Sequence, residues 1–177
     1  MVVVANATPL IYLAKMGELS LLKSLFAEVI VADKVFEEVV VQGAGKAGSE
    51  EVRSAHWIKR QSVSDKTALQ QLREEGLLDV GEAETLALAL ELGADLVLLD
   101  DRRARKVAAR MKVRRIGTIA IILLAYRQGL IKDLPSVLKK ASERAFRINT
   151  GVFNRLKKRG TVDRPKEPRD SSEREEV

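Results

Sequence analysis

Five oxygen-bearing residues stand where a hard divalent cation could be held: Asn6, Glu38, Glu82, Asp100 and Asp101. Asn6 follows a short apolar run at residues 2–5, and Asp100 and Asp101 follow another at 96–99. Glu38 lies on a helical stretch after the apolar run 29–32, and Glu82 opens the helical stretch 79–92. Magnesium and manganese take such ligands: hard oxygens, few in number, with room left for water and substrate phosphates. Each residue also has a plainer reading. Asn6 suits an Asx turn ahead of a Thr8 cap, Glu38 an exposed helix face, and Asp100 the cap of the following helix. Glu82 stands three residues after Asp79, which is the spacing of a capping box. It also shares a stripe with Leu86 and Leu90, the apolar side of its helix, where an unpaired carboxylate is costly.

A basic surface adjoins these acids. In the helical stretch 101–111, Ala104, Val107, Ala108 and Met111 form one apolar stripe, and Arg102, Arg103, Arg105, Lys106 and Arg110 fill most of the rest. Such a face holds phosphates without reading sequence; the plainer reading is a solvated charged surface. Other chemistries have little support. The chain has no cysteine, which excludes disulfides and thiolate metal sites and suits a reducing, cytoplasmic compartment. Its one histidine, His56, has no acidic or nucleophilic pattern around it. Residues 43–48 match G-x-G-x-x-G, yet a dinucleotide site needs those glycines to leave a strand and open a helix. Here Glu37 and Glu38 precede them, and the next helix begins only after the last glycine, so a flexible loop beside a substrate groove is the better expectation.

The elements that must position the site can be read from the same string. Short β-branched runs at 2–5, 29–32, 96–99 and 113–116 read as buried strands, and 57–63 as an edge strand or an extended link. Between them lie helical stretches. One is capped by Thr8 with Pro9 at its first position, and another is capped by Asp33. Others cover 19–26, 49–55, 65–75, 79–92, 101–111 and 118–128, followed by two more at 133–144 and 150–158. Buried strands alternating with helices imply a parallel sheet of four or five strands covered on both faces, a three-layer α/β/α domain. In such sheets ligands bind beyond the carboxyl ends of the strands, where Asn6 and Asp100 fall.

The 177 residues suffice for one domain with a real core, 46% apolar and 32% charged. The division expected is a folded domain over 1–158 and a disordered polar tail over 159–177. The net charge is +6 and the pI near 9.6. The tail carries a net charge of −1, so the basicity belongs to residues 1–158 and favours a polyanionic partner. No secretory leader is expected at the start, and the apolar stretch 116–126 is too short for a membrane span.

Four segments in order carry a resemblance: Val2-Val3-Val4-Ala5-Asn6-Ala7-Thr8-Pro9-Leu10-Ile11, Val35-Phe36-Glu37-Glu38-Val39, Gly81-Glu82-Ala83-Glu84-Thr85-Leu86-Ala87-Leu88-Ala89, and Leu98-Leu99-Asp100-Asp101-Arg102-Arg103-Ala104-Arg105. Over roughly residues 1–155 the chain resembles PIN-domain proteins, and most of all a VapC-like prokaryotic branch of predicted nucleases. The resemblance implies a compact α/β/α fold and Mg²⁺- or Mn²⁺-dependent hydrolysis of RNA phosphodiesters. It further implies a homodimer and, as in many members, a toxin paired with a small antitoxin protein. Carried over by position, the family's acids fall at Asn6, Glu38, Glu82 and Asp100, with Asp101 as a further ligand candidate. Thr8 matches the hydroxyl residue after the first acid. On this reading Glu38, Glu82 and Asp100 are catalytic, Asn6, Glu82, Asp100 and Asp101 hold the metal, and Arg102, Arg103, Arg105 and Lys106 bind RNA. Asn6 departs from the family in being an amide where a carboxylate is usual. That leaves a second expectation open, a catalytically weak PIN-like RNA-binding or scaffold protein.

Overall fold

Strand β1 (Val3–Ala5) is wholly buried and lies in the middle of the sheet. It is flanked by β2 (Val29–Ala32) on one side and β4 (Leu96–Leu98) on the other. β3 (Ile58–Gln61) and β5 (Arg115–Ile116) form the edges, giving the order β3-β2-β1-β4-β5 with every pairing parallel. The computed structural model describes residues 1–74 and 78–144. The helix expected at 150–158 and the tail at 159–177 lie outside the described residues.

Helices follow the strands: α1 (Ala7–Met16), α2 (Ser20–Phe26), α3 (Asp33–Phe36), α4 (Ser49–Ser54), α5 (Lys66–Glu74), α6 (Val80–Glu91), α7 (Arg102–Arg110), α8 (Thr118–Arg127) and α9 (Leu134–Arg144). They cover the sheet and make the three-layer α/β/α architecture that the alternation of strands and helices implies. Continuous buried runs such as Val97, Leu98 and Leu99 are what a parallel sheet covered on both faces requires.

The strand order fixes where a ligand belongs. The chain moves outward from β1 to β2 and β3, then returns to the other side of β1 to lay down β4 and β5. The direction of winding therefore reverses between β1 and β4, and the crevice beyond their carboxyl ends is the switch point. Asn6 leaves β1 there and Asp100 follows β4; the Asn6 backbone N–H donates to the Leu98 carbonyl at 3.0 Å.

Two expected caps differ. α1 begins at Ala7 with Asn6 as its cap, so Thr8 lies inside the first turn and does not cap it. Pro9 fits there because a first-turn N–H has no intrahelical partner to lose. At α3 the cap position is Ala32. Asp33, the first helical residue, sends its carboxylate across to Arg60 and Ser62 on the edge-strand side. α3 runs on into a single π-helical segment, Glu37–Val41, which contains Glu38. The glycine-rich stretch after it forms turns and then closes on α1, since a Cβ on Gly48 would lie 3.5 Å from that of Ala14. α8 buries Ile121, Ile122, Ala125 and Tyr126, while Ile119, Leu123 and Leu124 are partly buried against the same core.

Candidate functional site

The five residues singled out from the sequence each meet a helix start: Asn6 at α1, Glu38 and Glu82 at α6, Asp100 at α8 and Asp101 at α7. Asn6 is 5% exposed, and its side-chain oxygen accepts the Ala7 N–H at 2.8 Å. Thr85 of α6 places its hydroxyl 3.5 Å from that same oxygen and donates to the Gly81 carbonyl at 2.7 Å. Thr8 is half-buried in the first turn of the same helix.

Glu82 does two things at once. It is 7% exposed, and its Oε2 accepts the Asp79 N–H at 3.0 Å while Asp79 Oδ1 accepts the Glu82 N–H at 2.7 Å. The capping box is therefore real, and it holds the carboxylate on the buried side of α6. Burial pushes the Glu82 carboxyl above the ordinary carboxylate range, and the negative charges of Asp79, Asp101 and Glu38 push the same way, against the Asp79 backbone N–H.

Glu38 reaches the same helix end from the π-helical segment. A Cβ on Gly81 would lie 2.9 Å from Glu38 Oε2 and 3.0 Å from Oε1, so only glycine leaves that carboxylate its place. Burial raises the Glu38 pKa, Asp79 adds to the rise, and Lys34 opposes it. Lys34 is engaged nearby: its Nζ donates to Glu37 Oε2 at 3.0 Å and its backbone N–H to Glu84 Oε2 at 2.9 Å.

Asp100 does not cap the helix that follows it. Its Oδ1 accepts the Thr118 N–H at 2.8 Å and its Oδ2 the Thr118 hydroxyl at 2.5 Å, both at the start of α8. Asp101 is the cap of α7, accepting from Arg103 N at 2.7 Å and Ala104 N at 2.9 Å. Gly117 is to Asp100 what Gly81 is to Glu38: a Cβ there would lie 2.7 Å from Asp100 Oδ1 and 2.9 Å from Arg105 Nη1. Among the described residues no three His, Cys, Asp or Glu side chains are gathered as a ready-made metal cage.

Of the α7 cations, Arg102, Arg103 and Lys106 are exposed. Arg105 is half-buried, turned inward, and donates to the Leu99 carbonyl at 3.1 Å. His56 is exposed at the opposite end of β3. Sequence reading passed over Asp79, Gly81, Thr85, Gly117 and Thr118 as parts of this site. The signal was present in Asp79-Val80-Gly81-Glu82, where a glycine two residues into a strong helix has no reason in propensity and so points to a close approach.

The profile of the PIN-domain family matches residues 2–161. The chain belongs to the PIN-domain family, whose fold is of the nuclease type. Comparison with curated proteins gave no significant match.

Proposed function

We propose that the chain is a divalent-metal-dependent endoribonuclease that hydrolyses RNA phosphodiester bonds. The observation carrying this reading is the pair of carboxylates, Glu38 and Glu82, held at one helix end beside the β1/β4 switch point with both pKa values raised. Their surroundings include further carboxylates, which leaves an excess of negative charge that suits a cation. The donor set is all oxygen, which fits Mg²⁺ or Mn²⁺; such ions keep several waters and ask for few protein ligands. Glu82 and Asp100 are the residues to hold it, with Asp101 beside them and Glu38 as ligand or as orienter of water. When bound, the ion would acidify water and offset charge developing on the phosphate.

The chain's own residues do the rest. The capping box fixes the direction of Glu82, Thr118 fixes both oxygens of Asp100, and Gly81 admits Glu38 to the same edge. Arg102, Arg103 and Lys106 extend a basic face from the α7 end of the site and would take flanking phosphates. A VapC-like toxin role and a small antitoxin partner rest on the resemblance, a homodimer on the resemblance together with the apolar stretch 118–126, and a cytoplasmic location on the absence of cysteine. The test is cleavage of a mixed RNA with Mg²⁺ or Mn²⁺ and with EDTA, by the native chain and by Glu82→Gln. Cleavage that ignores both chelation and Glu82 would end this reading.

A second reading has one observation in its favour. Residue 6 is an amide whose oxygen is committed to capping α1, so it brings the site no carboxylate where the resemblance implies one. A catalytically weak RNA-binding PIN domain would bind RNA with intact affinity and show no metal-dependent cleavage.

A further inference from the structure

Asn6 is a polar side chain, more than nine-tenths buried, with one half of its amide accounted for and the other half not. Its orientation is fixed by chemistry. The Ala7 N–H is a donor, so the atom facing it at 2.8 Å must be the oxygen. The second neighbour of that oxygen, the Thr85 hydroxyl, spends its single proton on the Gly81 carbonyl at 2.7 Å. The amide nitrogen, Nδ2, therefore points away from the helix start. It donates to no acceptor among the described residues, and it is absent from the fully enclosed polar atoms, of which Arg115 Nε is the one without a partner. A donor that is neither enclosed nor partnered reaches solvent, here at the carboxyl end of β1 beside the switch point.

We infer that Asn6 is a positioning residue for the substrate, presenting Nδ2–H₂ to a non-bridging oxygen of the nucleic-acid phosphate, and is not a metal ligand. The inference rests on the nuclease reading above for the identity of the anion. The atom that faces the site is a donor with no lone pair to give a cation, whereas a phosphate oxygen is an acceptor. The local charge points the same way. Glu38, Glu82, Asp79 and Asp101 already crowd this edge with negative charge, and a polyanion must still approach it. A neutral donor at the end of β1 holds phosphate where another carboxylate would repel it. The α1 N-terminus adds to the effect, since its partial positive charge lies directly beneath Asn6.

The test uses the full chain and two substitutions that keep an oxygen at the cap of α1. Asn6→Ser retains a capping hydroxyl and removes the amide nitrogen. Asn6→Asp retains the shape and replaces the nitrogen with oxygen. Binding of a fluorescein-labelled single-stranded RNA is measured by anisotropy in EDTA, where no metal takes part, and Mn²⁺ binding is measured separately by calorimetry. The expected result for Asn6→Ser is RNA binding weaker by about tenfold with Mn²⁺ affinity within about twofold of native. Asn6→Asp is expected to bind RNA still more weakly in EDTA and Mn²⁺ more tightly. Unchanged RNA affinity in Asn6→Ser, or an equal loss of Mn²⁺ affinity in Asn6→Ser and Glu82→Gln, overturns the inference. A native chain that binds RNA through Asn6 yet neither binds Mn²⁺ nor cleaves would overturn the nuclease reading and leave the phosphate contact standing.

Discussion

Glu38 and Gly81 come from different elements, yet the carboxylate of one occupies the space where the other would carry a side chain, at 2.9 Å and 3.0 Å from its two oxygens. The approach is close to the tip of a flexible side chain, not to backbone. An added methyl would therefore move Glu38 and leave the fold alone. Gly81→Ala is expected to melt at or above the native temperature, because alanine is the better helix residue by up to about 1 kcal/mol. Cleavage is expected to fall by about a hundredfold, the effect of displacing a reacting group by an ångström. A melting curve and a rate at saturating metal decide it. Equal loss of stability and activity would show that Gly81 serves the fold and not the placement of Glu38.

The raised pKa values of Glu38 and Glu82 make a signed statement about pH. Burial is the largest cause for both, so folding without metal favours the neutral carboxyl more than the unfolded chain does. For a carboxyl raised in the folded state, the associated stability is full below the ordinary value of 4.5 and is lost as pH rises through the raised value. The difference in melting temperature between the metal-free native chain and Glu82→Gln should therefore shift against the native chain as pH rises from about 4.5 to neutrality. Adding Mn²⁺ at neutral pH should reverse the shift. A difference that stays flat across that range would mean the folded structure does not perturb Glu82.

Asp100→Asn should separate chemistry from folding. An asparagine can keep its oxygen on the Thr118 N–H and offer its amide to the Thr118 hydroxyl, so the start of α8 stays capped. The melting temperature is expected within about 4 °C of native. Metal-dependent cleavage is expected to vanish and Mn²⁺ binding to weaken about tenfold or more. A variant that cleaves normally when folded would remove Asp100 from the metal's ligands.

The basic residues of α7 should divide into two kinds. Replacing exposed Arg102, Arg103 and Lys106 together by alanine is expected to leave the melting temperature near native. The same change should lower the salt dependence of RNA binding by about two units of slope. Arg105→Ala should do the opposite, lowering stability by about 1 kcal/mol through the lost bond to the Leu99 carbonyl while leaving the salt slope unchanged. Binding isotherms at several salt concentrations, read beside melting curves, distinguish them.

What could be read in the sequence was what depends on pattern. Apolar runs such as Val29–Ala32 mark strands by composition, and residues just beyond them fall at the sheet's carboxyl edge, which places Asn6 and Asp100 there by pattern alone. What depends on a partner far along the chain could not be read. Arg105 looks like one more surface cation until the Leu99 carbonyl turns it inward. The π-helical segment at Glu37–Val41 leaves no mark in a helical period, and the value of Gly81 and Gly117 lies in the side chains packed on them, Glu38 on the first and Asp100 and Arg105 on the second. Thr8-Pro9 is a sound helix-start signal that loses here to Asn6, two residues upstream, because the amide lies at the end of β1 and reaches Ala7. Asp79 and Glu82 showed their capping spacing openly; that the same pair also steers a carboxylate toward the site needs the burial to be seen.

The order of the strands also has a consequence in time. β1 is made first and lies between β2 and β4, so a nascent chain that stops short of Leu96 has one side of β1 unpaired, and the Asn6 N–H has no Leu98 carbonyl to meet. Asp100 is then missing, and its two bonds to Thr118 form only after α8 has begun to emerge. The site is thus assembled late, by a return of the chain across roughly half its length, and non-local parallel pairing of this kind is slow. If the chain cuts RNA as proposed above, its site would stay incomplete on the ribosome until α8 had emerged.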